Sequence, residues 1–268
     1  MVPPPSASPQ ALICRAVADR NRIIEYLDGL LAIADFADYG PNGLQVPGAA
    51  EVSRVATGVS GNRELFEGAA ATGAELVICH HGILWDFQPR MITPQVKARL
   101  EILFEHDISL AAYHLPLDAH AEVGNNALLC GVLGLERAEP FGQAKGRPIG
   151  WIGRSRDGLP AAELIARLGA KLGREPLLQG AGPERVHAVG VVSGAGAGTI
   201  GEAAALGLDM LLTGEPAEHA MADAAEAGMH FVAAGHYATE TLGVQALGEL
   251  VAEEFGVEHS FVEVPNPV

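Results

Sequence analysis

The sequence predicts an α/β protein built from two similar α/β halves, with helices flanking mixed sheets. Three observations support this prediction: short apolar runs alternate with segments of helical period, helix caps stand beside those segments, and one stretch of sequence occurs twice. The chain has 268 residues, of which 49% are hydrophobic and 19% are charged. A chain of this size and composition can bury a large core, which excludes global disorder and a disulfide scaffold.

Strands are predicted where short apolar runs stand between turn signals. In chain order they are Arg54–Ser60, Leu76–Cys79, Ser109–Tyr113, Val186–Ser193, Met210–Thr213, His230–Ala234 and His259–Val264. Helices are predicted where Ala- and Leu-rich segments have a period near 3.6 residues. They are Ile23–Ile33, Arg63–Thr72, Pro94–Glu105, Asn125–Leu133, Pro160–Leu172, Thr199–Leu206, Ala217–Glu226 and Glu240–Phe255. Thr93 before Pro94 is typical of a helix start, and Gly73 and Gly207 stand where glycine ends a helix.

A repeated stretch predicts an internal duplication. AAATGAELVI (Ala69–Ile78) aligns with AAALGLDMLL (Ala203–Leu212) at an offset of 134, with four of ten positions identical. LAAYHLPLD (Leu110–Asp118) aligns with VAAGHYATE (Val232–Glu240), and both segments contain His, three residues and then an acid. The alternative is shared Ala-rich composition on a common strand–helix–strand pattern. We predict a tail over residues 1–18 and halves at 19–140 and 141–268.

Net charge and cysteine use limit the function classes. The chain carries 33 acidic and 17 basic residues, a formal net charge of −16, which argues against nucleic acid as a partner. Its three cysteines are widely spaced and odd in number, as expected of reduced thiols. No apolar run approaches the roughly 18 residues of a membrane span, and the start, MVPPPSASPQ, resembles a disordered tail rather than a signal peptide. We expect a cytoplasmic protein with a small-molecule substrate and no membrane partner.

Imidazoles and carboxylates follow three of the predicted strands. His80 and His81 follow the first, His114 and Asp118 the second, and His236 and Glu240 the third. A single histidine at a strand end is more often structural than a ligand. Six such residues at three strand ends, however, predict a metal site at the sheet edge where α/β proteins form ligand crevices.

The donor types indicate which ions such a site binds. Neutral imidazole with carboxylate, and no thiolate, suits zinc, iron, manganese or nickel in hydrolytic sites. Six donor residues exceed the need of one ion, so we expect two divalent ions per chain. The glycine-rich GAGAG at Gly194–Gly198 is compatible with a phosphate loop, although a tight turn is the more frequent explanation. Structural or solvent-exposed roles are predicted for His106, His120, His187, His219, His230 and His259.

Several motifs together resemble a known family. They are DYGPNGLQVPG (Asp38–Gly48), LVICHHGILW (Leu76–Trp85), AYHLPLDAH with GNN (Ala112–Asn126), LLTGE (Leu211–Glu215), AAGHYATE (Ala233–Glu240) and VPNPV (Val264–Val268). In this order they resemble the NIF-three-like dinuclear metal-centre proteins, type 2 homologues of GTP cyclohydrolase I. The likeness runs from about residue 20 to the end of the chain.

The resemblance implies a site and an assembly. It implies two related α/β domains with a dinuclear metal site in the cleft between them, and a ring-shaped homohexamer. The ligands it implies are His80, His81, Asp118, His236 and Glu240, with Glu240 bridging the ions and taking part in catalysis. His114 becomes a catalytic proton-transfer residue beside the ligands rather than a ligand. Mg²⁺ joins the ions that such a site accepts.

The implied activity is a metal-dependent hydrolase acting on GTP or another nucleotide. Two divalent ions would lower the pKa of a shared water, which would open the purine imidazole ring with loss of formate. The alternative is a non-catalytic metal-binding protein with a regulatory or interaction role. At the offset of 134, His80 and His81 correspond to Gly214 and Glu215. We therefore expect Glu215 to lie outside metal coordination.

Overall fold

The computed structural model describes residues 16–268, and it confirms the predicted α/β class. The first 15 residues of the predicted tail, Cys14 among them, lie outside the described residues. The described chain forms two large mixed sheets and a small antiparallel pair, β1 (Ala18–Asp19) with β3 (Glu51–Val52). Within residues 16–268, no helix is both long and apolar enough to cross a membrane.

The first large sheet has five strands in the order β13-β4-β5-β6-β2. They are β2 (Gly43–Val46), β4 (Arg54–Ser60), β5 (Leu76–His81), β6 (Ser109–Ala112) and β13 (Glu258–Phe261). Only β2 runs antiparallel to its neighbour; the other pairs are parallel. The helices in this part of the chain are α1 (Arg20–Leu30), α2 (Arg63–Thr72), α3 (Pro94–Glu105), α4 (Leu115–Ala119) and α5 (Asn125–Leu133).

The second large sheet has six strands in the order β7-β8-β10-β11-β12-β9. They are β7 (Glu136–Ala144), β8 (Arg147–Pro160), β9 (Leu177–Gln179), β10 (Arg185–Val192), β11 (Met210–Thr213) and β12 (His230–Ala233). Strands β10, β11 and β12 are parallel, whereas β7, β8 and β9 pair antiparallel. The remaining helices are α6 (Ala161–Leu172), α7 (Ile200–Ala205), α8 (Glu218–Glu226), α9 (His236–Thr239) and α10 (Thr241–Phe255).

Both faces of each large sheet are buried. Along β5, Leu76 and Ile78 pack into the cluster that contains α1 and α10, whereas Val77 and Cys79 pack into the cluster that contains α2 and α3. Side chains alternate between the faces of a strand, so a continuous apolar run indicates a strand covered by helices on both sides. The buried parallel strands carry their following residues to one edge of each sheet.

The C-terminal segment returns to the first sheet. Strand β13 pairs in parallel with β4, and Val244 and Leu247 of α10 pack in the same apolar cluster as β4 and β5. The predicted halves 19–140 and 141–268 stay a prediction about an internal duplication. They do not coincide with the two sheets, because β7 spans residue 140 and β13 completes the first sheet.

Candidate metal centre

The six polar residues predicted from the strand ends lie together between the two sheets. Their donor atoms form three overlapping groups, and the atoms of each group lie within 4.8 Å of one another. The groups are His80 with His81 and His114, His81 with His236 and Glu240, and His80 with Asp118 and Glu240. In the described part of the chain, none of the other histidines belongs to such a group. His230, for example, contacts the carbonyl oxygen of Pro183, at 2.8 Å from its Nε2.

Strand β5 positions two of the imidazoles on opposite faces. His80 is fully buried, and its Nδ1 donates to the carbonyl oxygen of Tyr113 at 2.9 Å. His81 is partly exposed, and its Nδ1 lies 3.1 Å from Oγ of Ser60, at the end of the neighbouring strand β4. Both contacts use Nδ1, so Nε2 of each ring is left to face the other residues of the group.

Carboxylates hold the other two imidazoles in the same way. Nδ1 of His114 lies 2.7 Å from Oδ1 of Asp38, and Nδ1 of His236 lies 2.5 Å from Oε1 of Glu215. A carboxylate on one ring nitrogen sets the tautomer and orients the other nitrogen, an arrangement found around metal-bound histidines. All four rings thus present Nε2 for coordination.

The two acidic residues of the group are almost completely buried. Oδ1 of Asp118 accepts hydrogen bonds from Asn125 Nδ2 at 2.8 Å and Ser193 Oγ at 3.0 Å, while Oδ2 lies 3.5 Å from Nε2 of His80. Asp118 is therefore held by Asn125 of α5 and by Ser193, which follows β10 of the second sheet.

Glu240 stands between three of the rings. Its Oε2 lies 3.2 Å from Nε2 of His81 and 3.2 Å from Nε2 of His236, and its Oε1 lies 3.6 Å from Nε2 of His80. Its two carboxylate oxygens therefore face different imidazoles: Oε1 faces His80, and Oε2 faces His81 and His236. This central position is the one expected of a carboxylate that contacts two ions.

The charges of the group shift the pKa values of its members. Burial would raise the pKa of Glu240, but the imidazoles of His81 and His80 hold it well below its usual value. Burial lowers the pKa of His236, yet Glu240 and Glu215 outweigh this and raise it to about 9. Burial also lowers the pKa of His80, but the charges of Asp118 and Glu240 outweigh burial and raise this pKa well above its usual value. In the absence of metal, protons on these rings balance the two buried carboxylates.

At His81 burial outweighs the attraction of the carboxylate, and the pKa falls. Burial lowers the pKa of His81 to about 3, because the attraction of Glu240 only partly offsets burial and three neighbouring imidazoles oppose protonation. His81 therefore stays neutral at physiological pH, with a lone pair available for a cation.

The residues fit a divalent metal ion. Nε2 of His80 and Oε2 of Glu240 are buried and make no hydrogen bond, which is costly unless another group satisfies them. Once the rings are deprotonated, their Nε2 lone pairs face carboxylate oxygens, and a cation between them removes this repulsion. Nitrogen and carboxylate donors of this kind suit zinc, iron, manganese and nickel.

Gly194 provides space beside the centre. It follows β10 with φ of +61°, and a Cβ at this position would collide with Oε1 of Glu240. The predicted GAGAG motif therefore lies at the metal centre, where its first glycine allows close packing on Glu240. Gly198, in the same motif, has open space around it and begins no phosphate-binding helix of useful length.

Sequence reasoning did not identify the residues that orient the rings. Asp38 and Glu215 lie in the motifs DYGPNGLQVPG and LLTGE, so the family resemblance marks their segments but not their contacts. Asp38 also accepts hydrogen bonds from Asn42 Nδ2 at 2.9 Å and from the backbone of Leu115 at 3.0 Å. Burial would raise the pKa of Asp38, but His114 and the hydrogen bonds from the Asn42 side chain and the Tyr39 backbone lower it. Asp38 is thus an ionised anchor for the His114 segment.

Comparisons with known proteins find relatives along nearly the whole chain. The family model described as Duf34/NIF3 (NGG1p interacting factor 3) matches residues 18–267. A Deinococcus radiodurans protein named GTP cyclohydrolase 1 type 2 homolog is 38% identical over 261 residues, covering 97% of this chain and 99% of that protein. A Pseudomonas aeruginosa protein of the same name is 40% identical over 247 residues, covering 92% and 98%. The solved structure of protein ybgI, described as of unknown function, has a TM-score of 0.88 and 38% identity, covering 94% of this chain and 100% of that one.

Proposed function

The chain belongs to the Duf34/NIF3 family, and from this premise we propose that it is a dinuclear metal-dependent hydrolase acting on a nucleotide. The family membership confirms the resemblance of the sequence motifs. The observation that carries the proposal is the convergence of three Nε2 atoms, those of His80, His81 and His236, upon the buried carboxylate of Glu240, each on a ring held through Nδ1.

We assign the ligands that the family resemblance implied. His80, His81, Asp118, His236 and Glu240 would hold two divalent ions, with Glu240 between them. Such ions supply Lewis-acid chemistry and water of lowered pKa. His114 lies against His80 and His81, and its partner Asp38 is a buried carboxylate. This pair can accept and return a proton at Nε2 of His114, which is the role we propose for it.

The substrate class rests on the names of the relatives. Both curated relatives are named GTP cyclohydrolase 1 type 2 homolog, so GTP or a related nucleotide is the first substrate to test. One water would open the purine imidazole ring to a formamide, and hydrolysis of that formamide by a second water would release formate and leave a free amine. The homohexamer, which the family resemblance implies, and a cytoplasmic location, which the sequence predicts, are part of this proposal.

The decisive experiment combines metal analysis with a turnover assay. Protein loaded with Zn²⁺, Mn²⁺, Fe²⁺, Ni²⁺ or Mg²⁺ is incubated with GTP and a panel of other nucleotides, and formate and other products are measured. We expect close to two ions per chain and turnover that is lost in His114→Gln while metal is retained. Two bound ions without turnover of any nucleotide would favour the non-catalytic metal-binding alternative.

A further inference from the structure

A cleft of about 660 Å³ opens beside the metal centre, on the side of His114. Its lining comes from the segments of both sheets, and it includes His114, Asp118, His236 and Glu240. Asp118, Glu202 and Glu240 give the cleft an acidic lining. Among the described residues that line it, Lys145 is the only lysine or arginine.

Lys145 lies at the tip of the hairpin between β7 and β8. Its backbone has φ of 50°, a left-handed conformation that lysine adopts rarely. Its Nζ lies 4.2 Å from the centroid of the Tyr39 ring, and that ring stands 6.2 Å from the ring of His114. The hairpin of the second sheet thus brings an ammonium group to the rim of a site whose imidazoles come mainly from the first.

A second contact fixes the same hairpin. The guanidinium of Arg147 covers the ring of Phe36 at 4.7 Å, and its Nη1 donates to the carbonyl oxygen of Asp35 at 2.9 Å. Both contacts reach the segment that precedes and includes Asp38, the partner of His114. The hairpin tip is therefore held in place by Arg147, whereas Lys145 has an exposed cation–π contact that it can exchange for a stronger partner.

We propose that Lys145 binds the anionic phosphate group of the substrate while the substrate's reacting atoms lie at the metal centre. This inference rests on the proposed function, which supplies a nucleotide. The chain carries a net charge of −16, and Glu202, which is not one of the proposed ligands, also lines the cleft, so a phosphate held away from the metal ions needs a local cation. Lysine binds phosphate as a point charge, and the ammonium leaves the Tyr39 ring to do so.

The test compares GTP with guanosine as probes for metal-loaded protein, using calorimetry to obtain both Kd values. Lys145→Gln is compared with Lys171→Gln, whose side chain lines a different cavity near the end of α6, and with the conservative Lys145→Arg. We expect Lys145→Gln to weaken GTP binding about tenfold and to leave guanosine binding unchanged. Lys171→Gln and Lys145→Arg should bind GTP like the unmodified protein.

Three outcomes would overturn the assignment of Lys145. They are an unchanged Kd for GTP in Lys145→Gln, an equal loss for GTP and guanosine, and no GTP binding to the unmodified metal-loaded protein. Formate release measured on the same samples separates this proposal from the hydrolase proposal. GTP binding that depends on Lys145 without turnover refutes only the hydrolase, whereas turnover with an unchanged Kd refutes only the role of Lys145.

Discussion

Glu215 and His236 form a close pair at the edge of the candidate metal centre. Oε1 of Glu215 lies 2.5 Å from Nδ1 of His236, and Nε2 of the same ring lies 3.2 Å from Oε2 of Glu240. Glu215 follows β11 and His236 follows β12, two adjacent parallel strands, so the sheet itself aligns the pair. Glu215 therefore acts on the centre through the orientation of His236 and is not one of the grouped donor residues.

This pair predicts the effect of Glu215→Gln. The amide cannot hold the Nδ1–H of His236 as strongly as a carboxylate does, so metal affinity should fall about 10- to 100-fold. The number of ions bound at saturation should not change. Calorimetric titration of Zn²⁺ into chelator-treated protein measures both quantities. Glu218→Gln, an exposed position in α8, is the matched control, and equal affinities for the two variants would contradict the prediction.

Glu240→Ala should have a larger effect on metal content. Glu240 is the carboxylate that faces three imidazoles. Without its negative charge between them, the two cations repel each other more strongly across a short distance. We expect the loss of at least one ion per chain and of hydrolytic activity, with the circular dichroism spectrum retained. Glu253→Ala, exposed on α10, should keep both ions. Full occupancy in Glu240→Ala would refute Glu240 as the bridging ligand.

The sequence predicted most of the buried elements of this fold. The predicted bounds of Arg54–Ser60, Arg63–Thr72, Pro94–Glu105 and Met210–Thr213 are those of β4, α2, α3 and β11, because apolar period and caps mark buried elements clearly. The hairpin of β7 and β8 was missed, since the first half of β7 is exposed and polar. No helix was predicted at Leu115–Ala119, which forms the short helix α4 with Pro116 at its second position.

The candidate site, like the fold, could be predicted from the sequence only in part. The six donor residues follow predicted strands, and the parallel order of those strands brings them together. Their partners cannot be inferred from spacing: Asp38 is 76 residues from His114, and Glu215 is 21 residues from His236. Such contacts depend on how the loops pack against each other, and no local period encodes that packing.

Metal binding should release protons at neutral pH. In metal-free protein the pKa of His236 is raised to about 9 and that of His80 is raised as well, so both rings carry protons at pH 7 that a coordinating ion must displace. Affinity should therefore fall as pH falls, about tenfold per pH unit for each proton released. Calorimetry of Zn²⁺ binding in two buffers of different ionisation enthalpy counts the protons. Identical heats in both buffers would contradict the prediction.

An apolar surface near the end of β5 predicts an oligomer contact. Phe87, Met91, Ile92 and Phe104 are 72%, 71%, 69% and 64% exposed, more than isolated surface residues of a monomer require. A charge at Ile92 should weaken any assembly through this surface, so Ile92→Glu should shift the mass distribution from the proposed hexamer towards smaller species. Mass photometry at micromolar concentration measures the shift. Leu206→Glu, 55% exposed and on the second sheet's side, is the control that should leave the assembly intact.

The two glycines of the GAGAG segment should respond differently to alanine. Gly194 has φ of +61°, and an added Cβ would meet Oε1 of Glu240 and approach Nε2 of His236. Gly194→Ala should therefore displace Glu240, reduce metal content and lower the free energy of unfolding by about 1–3 kcal/mol through backbone strain. Gly198→Ala adds the same methyl group where no atom lies within 4 Å, so it should keep the metal and the stability. Metal analysis and denaturant unfolding on both variants provide the comparison. If Gly194→Ala binds metal as tightly as Gly198→Ala, Glu240 tolerates displacement and its central role at the site is wrong.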